Sequence, residues 1–140
     1  MTPVVCDASV TVAWYADEVQ SPIARQLQRG AAPLFAPTLV LAETANALLS
    51  RIRRRLPTPP GYPETALHEL QTGAISFIPD PVLLDSAMAI ALRLGHPIYD
   101  CFYLALCRRE EAMLATFDAR LARHAETLAI PLWTPEAPAP

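Results

Sequence analysis

The sequence contains no lysine: all eleven of its basic residues are arginines. Without a side-chain amine, enzyme classes that depend on a catalytic lysine are excluded. Haloacid-dehalogenase-type phosphatases and response-regulator receivers belong to those classes. The phosphatases also need a second aspartate two residues after the nucleophile, and Ser9 stands two residues after the candidate Asp7.

Glycine and cysteine are also scarce. The four glycines form no glycine-rich phosphate loop, which excludes P-loop and Rossmann nucleotide-binding proteins. The three cysteines, Cys6, Cys101 and Cys107, are odd in number and lack metal-ligand spacing. They are predicted to be reduced and buried, as in a cytosolic protein.

Long apolar runs are missing as well. The longest stretch without a charge runs from Gly30 to Ala42 and is interrupted by Pro33 and Pro37, so no membrane span is expected. The N-terminus MTPVVCDASV has no basic region ahead of an apolar segment, so no secretion signal is expected either. A cytoplasmic location is therefore expected. The net charge of −3 argues against a broadly basic nucleic-acid-coating protein but is compatible with a local basic patch.

What the sequence does contain is typical of one folded α/β domain. Hydrophobic residues make up 52% of the chain and charged residues 18%. Short apolar segments without alternation are separated by helical patterns, which predicts a parallel sheet covered on both faces. The predicted strands are Val4–Cys6, Leu34–Ala36, Ile75–Ile78, Met113–Thr116 and Ile130–Trp133, and Asp80-Pro81 is predicted to cap the helix that follows it. The domain is predicted to span residues 1–134, with a loose Pro/Ala tail over 135–140.

Four acidic residues stand where such a sheet binds ligands, beyond the carboxyl ends of its strands. Asp7 directly follows the first strand and Asp118 follows the fourth. Glu43 lies early in the helix after the second strand. Asp100 lies in the first turn of its helix and is the only charge in the segment HPIYDCFYLALC. All four are expected to converge at one edge of the sheet.

Each acid also has a purely structural interpretation. Asp7 and Asp118 fit helix N-caps, and Glu43 and Asp100 fit favourable charges near a helix N-terminus. However, Glu43 and Asp100 lie one turn inside their helices among apolar residues, which capping does not require. Converging carboxylates repel one another unless some are protonated or share a cation. Hard oxygen ligands favour Mg²⁺ or Mn²⁺, and such a site suits phosphodiester hydrolysis.

At these residues the sequence resembles PIN-domain ribonucleases, and within them the VapC-type toxins of bacterial toxin–antitoxin pairs. The resemblance runs in order from about Val4 to about Trp133 and is carried by the segments VCDASVTVAWYADE, FAPTLVLAETANALLSR, ALRLGHPIYDCFYLALC and LATFDARL. It implies a three-layer α/β/α sandwich with a short, mostly parallel central sheet. It also implies an Mg²⁺-dependent endoribonuclease, for which Mn²⁺ is a potential substitute, with an RNA substrate, a cognate antitoxin and a homodimeric state.

The resemblance assigns roles to individual residues. Asp7 and Asp100 are the first-choice metal ligands, and Glu43 and Asp118 complete the catalytic set directly or through water. Ser9 and Thr116 are expected to orient the carboxylates or a water. Asn46 is interpreted equally well as lining the pocket or as a helix-surface amide.

The arginines and histidines give weaker indications of function than the acids do. The cluster from Arg51 to Arg55 ends a long helix, where cations complement the helix dipole. Arg51, Arg54 and Arg55 are alternatively expected to contact RNA or an acidic partner. His68, His96 and His124 are scattered and are predicted to be surface or loop residues.

Two alternatives to a toxin nuclease stay open at this point. One is a PIN-like module that binds RNA or a partner without cutting. The other is a housekeeping RNA-processing nuclease. The complete set of acids favours an enzyme over the first of these.

Overall fold

A four-stranded, entirely parallel sheet forms the centre of the protein in a computed structural model, which describes residues 1–136. The strands are β1 (Val4–Cys6), β2 (Leu34–Pro37), β3 (Ile75–Ile78) and β4 (Met113–Ala115). Their order across the sheet is β3-β2-β1-β4. All three residues of β1 are fully buried because the strand has a neighbour on each side and helices cover the sheet.

Seven helices are found in the described part of the chain, and they alternate with the strands as the sequence predicts. Their bounds are α1 (Ala8–Tyr15), α2 (Ser21–Arg29), α3 (Leu39–Arg53), α4 (Glu64–Thr72), α5 (Asp80–Leu94), α6 (Ile98–Glu110) and α7 (Ala119–Thr127). Helix α6 packs against β1, β2 and β4, while α5 packs along α6. The three-layer α/β/α fold class is confirmed. None of these helices within residues 1–136 is long and apolar enough to span a bilayer.

The core is built where the apolar segments predicted it. Tyr103, Leu104 and Leu106 of α6 are fully or almost fully buried against the sheet. The cysteines Cys6, Cys101 and Cys107 are free and buried, as predicted. Burial raises the pKa of each of their thiols, that of Cys101 to about 11, so they remain neutral and serve as small apolar side chains.

Two local predictions are wrong. The segment Ile130–Trp133 does not extend the sheet as a strand but forms a single parallel bridge between Leu132 and Leu114. Pro131 within it has no N–H to donate, which limits the hydrogen bonds a strand could form there. Asp80 does not cap α5; its carboxylate instead accepts a hydrogen bond from the N–H of Leu39 at the start of α3. The predicted tail falls mostly on residues 137–140, outside the described residues.

Candidate active site

The topology predicts a ligand-binding crevice beside β1. The chain moves from β1 to β2 and β3 on one side of the sheet, then crosses to β4 on the other side of β1. In parallel α/β sheets, ligands bind beyond the carboxyl ends of the strands where the strand order reverses in this way. Asp7 follows β1 and Thr116 follows β4, so the two segments that flank the crevice carry the predicted site residues.

Asp7 is the most buried of the four acids, with a relative exposure of 6%. Its Oδ1 accepts a hydrogen bond from the Ser9 hydroxyl at 2.5 Å and a longer one from the N–H of Val10 at 3.3 Å. Its Oδ2 accepts from the Thr116 hydroxyl at 2.6 Å. Asp7 therefore caps α1, as the structural interpretation requires, and is also held in one orientation by two hydroxyls that the sequence singled out.

The pKa of Asp7 is raised to about 6, chiefly because burial disfavours the carboxylate. Its hydrogen bonds lower that pKa in part, and the charge of Asp118 raises it further. A bound cation would offset the burial cost of this charge. No arginine is paired with Asp7 in the described part of the chain, so it differs from an ordinary buried ion pair.

Glu43 lies in the second turn of α3 and contacts α6. The phenol of Tyr103 donates a hydrogen bond to its Oε1 at 2.5 Å. Beside Glu43, the buried side chain of Thr44 hydrogen-bonds to that of Thr11 on α1 at 2.8 Å, which fixes the rotation of this part of α3. The pKa of Glu43 is raised, first by burial and further by the charges of Asp100 and Asp80, while the Tyr103 hydrogen bond lowers it.

Asp100 lies in the first turn of α6, as predicted, and its side chain is 30% exposed. Its Oδ2 lies 2.8 Å from Nε2 of His96, whose own side chain is only 8% exposed. The His96 ring packs against the ring of His124, with the centroids 4.3 Å apart. His96 lies in the loop between α5 and α6, as predicted, but its contacts with Asp100 and His124 contradict the expectation that these histidines have no partners.

Asp118 caps α7 and is the most exposed of the four acids. Its Oδ1 accepts from the N–H groups of Arg120 at 2.8 Å and Leu121 at 3.2 Å. The segment is tied to Asp7, because the N–H of Asp118 donates to the same Thr116 hydroxyl that donates to Asp7. The N–H of Phe117 likewise donates to Ser9. These bonds hold the ends of β1 and β4 together.

The four acids interact through their charges in two pairs, Asp7 with Asp118 and Glu43 with Asp100, but their side chains are not arranged as a metal site. Residues 1–136 contain no group of three or more His, Cys, Asp or Glu side chains that could hold a metal ion as arranged. Glu43, Asp100 and Asp118 each have one oxygen occupied by a donor, and no hydrogen bond from residues 1–136 reaches the other oxygen. The hard oxygen donors of these side chains match Mg²⁺ or Mn²⁺ in chemistry.

The remaining predicted residues form no hydrogen bond or ion pair with the four acids within residues 1–136. Asn46 is exposed, and its side chain makes no hydrogen bond within the described part of the chain. Arg51 forms an ion pair with Glu18 at 3.4 Å and is only 15% exposed. Arg54 and Arg55 are exposed at the end of α3. A groove of about 350 Å³ is lined in part by Ser9, Ala47 and Phe117, and none of the four acids is among its lining residues.

The family model of the PIN domain matches residues 4–127, which is most of the chain. The chain is a PIN-domain protein. PIN domains are generally nucleases that use divalent metals. No protein with a curated description is similar enough to this PIN domain to be matched.

Solved structures share the fold of this PIN domain at low sequence identity. PAE2754 from Pyrobaculum aerophilum is 21% identical, with a TM-score of 0.68 over 91% of this chain and 86% of its own. VapC20 of Mycobacterium tuberculosis, a sarcin–ricin loop cleaving toxin, is 18% identical, with a TM-score of 0.69 over 86% of this chain and 93% of its own. FitAcB from Neisseria gonorrhoeae is 16% identical, with a TM-score of 0.56 over 94% of this chain and 97% of its own.

Sequence reasoning did not identify His96 and Tyr103 as contacts of the acids. Both lie at helical neighbour spacing from Asp100, His96 four residues before it and Tyr103 three residues after it. Tyr103 is also the one residue of the buried set of α6 that carries a hydroxyl. A search for hydrogen-bonding side chains on the face of Asp100 would have found both.

Proposed function

We propose that the protein is an Mg²⁺-dependent endoribonuclease that hydrolyses RNA phosphodiester bonds at the crevice beside β1. The observation that carries this proposal is Asp7, a buried carboxylate oriented by two hydroxyls, without a cationic partner in the described residues, in a PIN domain. Burying a carboxylate without a charged partner costs stability, and such perturbed carboxylates are concentrated at functional sites.

Asp7 and Asp100 are proposed as the principal metal-binding residues, with Glu43 and Asp118 completing the set directly or through water. When bound there, Mg²⁺ would supply the positive charge that activates water and stabilises the phosphate during hydrolysis. Mn²⁺ is the proposed substitute. Ser9 and Thr116 keep the Asp7 carboxylate oriented, and their shared contacts with Phe117 and Asp118 hold the two strand ends at a fixed spacing.

The RNA is proposed to approach along the groove beside Ser9, and Arg54 and Arg55 are proposed to contact its phosphates. Both arginines are exposed, whereas Arg51 is engaged by Glu18. Because the protein has a net charge of −3, these two arginines give only a weak, salt-sensitive attraction to RNA. Asn46 is exposed on the same helix and stays a candidate for this surface.

The test is cleavage of structured RNA, including a sarcin–ricin loop hairpin, by purified protein with Mg²⁺, with Mn²⁺ or with EDTA. Cleavage that requires the metal and falls at least 100-fold in Asp7→Asn and Asp100→Asn is expected. Asp17→Asn, the same change at a fully exposed side chain, is the matched control. Cleavage that persists in both site variants would contradict the assignment of Asp7 and Asp100 to the active site. RNA binding without cleavage would instead favour the non-cleaving module.

We also propose that this nuclease is the toxin of a toxin–antitoxin pair, with a cognate antitoxin and a homodimeric state. The likeness of the fold to VapC20 supports the class of protein, and an exposed apolar face of α5 supports self-association. Expression of the chain alone in a bacterial host is expected to arrest growth, and co-expression of the adjacent reading frame is expected to restore it. Harmless expression of an active enzyme would favour housekeeping RNA processing.

A further inference from the structure

The contact between α6 and α3 adds a residue to this site. Tyr103 is 1% exposed, and its hydroxyl donates to Oε1 of Glu43 at 2.5 Å across the boundary between the two helices. A phenol is neutral and retains its proton at pH 7, so it is a permanent donor to this carboxylate. No other hydrogen bond or ion pair to Glu43 is found in residues 1–136.

The side chain of glutamate has three rotatable bonds, and fixing it costs conformational entropy. Glu43 is only half-buried, so packing alone leaves it several rotamers. A short hydrogen bond from a rigid, buried ring restricts the carboxylate and occupies one oxygen. The other oxygen, Oε2, has no donor in the described part of the chain.

We propose that Tyr103 is a positioning residue of the metal site, which holds Glu43 by Oε1 and leaves Oε2 for the cation. This inference rests on the proposed function, because it gives Glu43 a metal to bind. Tyr103 itself touches neither metal nor RNA in this arrangement. Its effect passes entirely through Glu43.

Asp100, on α6 itself, is held in a parallel way by a residue of the loop that precedes this helix. His96 occupies Oδ2 of Asp100, and Oδ1 has no donor among the described residues. Glu43 on α3 and Asp100 on α6 are thus each held by one oxygen. Partners of this kind, outside the direct ligands, change metal affinity or activity by about 10–100-fold when they are removed.

The experiment measures the affinity for Mn²⁺ by titration calorimetry and the rate of RNA cleavage for four variants. Tyr103→Phe removes only the hydroxyl. Tyr99→Phe is the matched control, because Tyr99 is 63% exposed on the same helix and makes no hydrogen bond within residues 1–136. Glu43→Gln and the double variant Tyr103→Phe/Glu43→Gln complete a mutant cycle.

Tyr103→Phe is expected to weaken Mn²⁺ binding by about 10-fold or more, whereas Tyr99→Phe leaves it unchanged. In the Glu43→Gln background, adding Tyr103→Phe is expected to cause no further loss, because its effect passes through Glu43. Unchanged binding in Tyr103→Phe, or a full additional loss in the double variant, would overturn the inference while leaving the nuclease intact. If the unaltered protein neither binds Mn²⁺ nor cleaves RNA, both proposals fail.

Discussion

Asp7 shows at the scale of one residue how a charge at the proposed active site opposes folding. The carboxylate is almost fully buried, and its pKa is raised to about 6 from 3.8 because burial disfavours its ionised form. Three hydrogen bonds to Asp7 reduce that cost without removing it. In the absence of a cation, ionising Asp7 in the folded state therefore destabilises the protein.

This cost makes the difference in stability between an Asp7→Asn variant and the unaltered protein depend on pH in a defined direction. A raised carboxyl pKa gives stability that is present below the unfolded value near 4 and is lost as the pH rises through about 6. In EDTA, Asp7→Asn is expected to unfold at a higher urea concentration than the unaltered protein at pH 7. The added free energy of unfolding is at most about 3 kcal/mol and disappears near pH 4.

Urea unfolding at pH 4 and pH 7, with Asp17→Asn as control, measures this effect. Adding Mg²⁺ at pH 7 is expected to narrow the gap, because the cation would bind and stabilise only the folded protein that retains Asp7. If Asp7→Asn raised the free energy of unfolding equally at both pH values, the Asp7 charge would not be the cause of the lower stability of the unaltered protein.

At the scale of one helix, α3 depends on a residue from a distant part of the chain. The Asp80 carboxylate accepts the N–H of Leu39 at 2.9 Å, and the N–H of Asp80 donates to Thr38 at 3.1 Å. This pair of hydrogen bonds joins the starts of α3 and α5. It fixes where α3 begins, and Glu43 follows one turn later.

Removing this cap is expected to loosen the start of α3. Asp80→Ala leaves the N–H of Leu39 without its partner, which costs about 1 kcal/mol as for other helix N-caps. Asp17→Ala, at an exposed position, is expected to change stability by less than about 0.5 kcal/mol. Chemical denaturation at pH 7 compares the two. Equal free energies of unfolding for Asp80→Ala and Asp17→Ala would contradict a capping role for Asp80.

Sequence patterns predict the residues at the ends of the strands but not the contacts between distant helices. Asp7 and Asp118 could be placed at one edge of the sheet from their neighbouring strands, because the carboxyl ends of parallel strands lie at the same edge. The partner of Asp80 could not be predicted from local capping rules, since Leu39 is 41 residues away in sequence. The contact between Tyr103 and Glu43 joins residues 60 positions apart and depends on how two helices are rotated in the packed core.

At the scale of the whole molecule, one helix remains apolar on its outer side. Leu84, Met88 and Leu92 follow one another at intervals of four residues along α5 and are 47%, 47% and 77% exposed. A helix with apolar residues on its outward face as well as its inward face normally packs against a second surface. Asp85 and Arg93, both exposed, are the charges that flank this stripe along the helix.

This pattern suits antiparallel packing of two copies about Ala89. A two-fold axis there would bring Asp85 of each copy opposite Arg93 of the other, because an isologous interface pairs each residue with its symmetry-related partner. Light scattering after size exclusion is expected to give twice the chain mass. Met88→Glu is expected to give a monomer, because it places a charge in the apolar stripe.

Charge reversal tests the orientation of that interface. Asp85→Arg or Arg93→Asp alone is expected to weaken the dimer by bringing like charges together, and the two changes combined are expected to restore it by exchanging the partners. A monomeric unaltered protein at micromolar concentration would contradict self-association itself. A dimer that tolerates Met88→Glu and both single reversals would place the interface on a face other than α5.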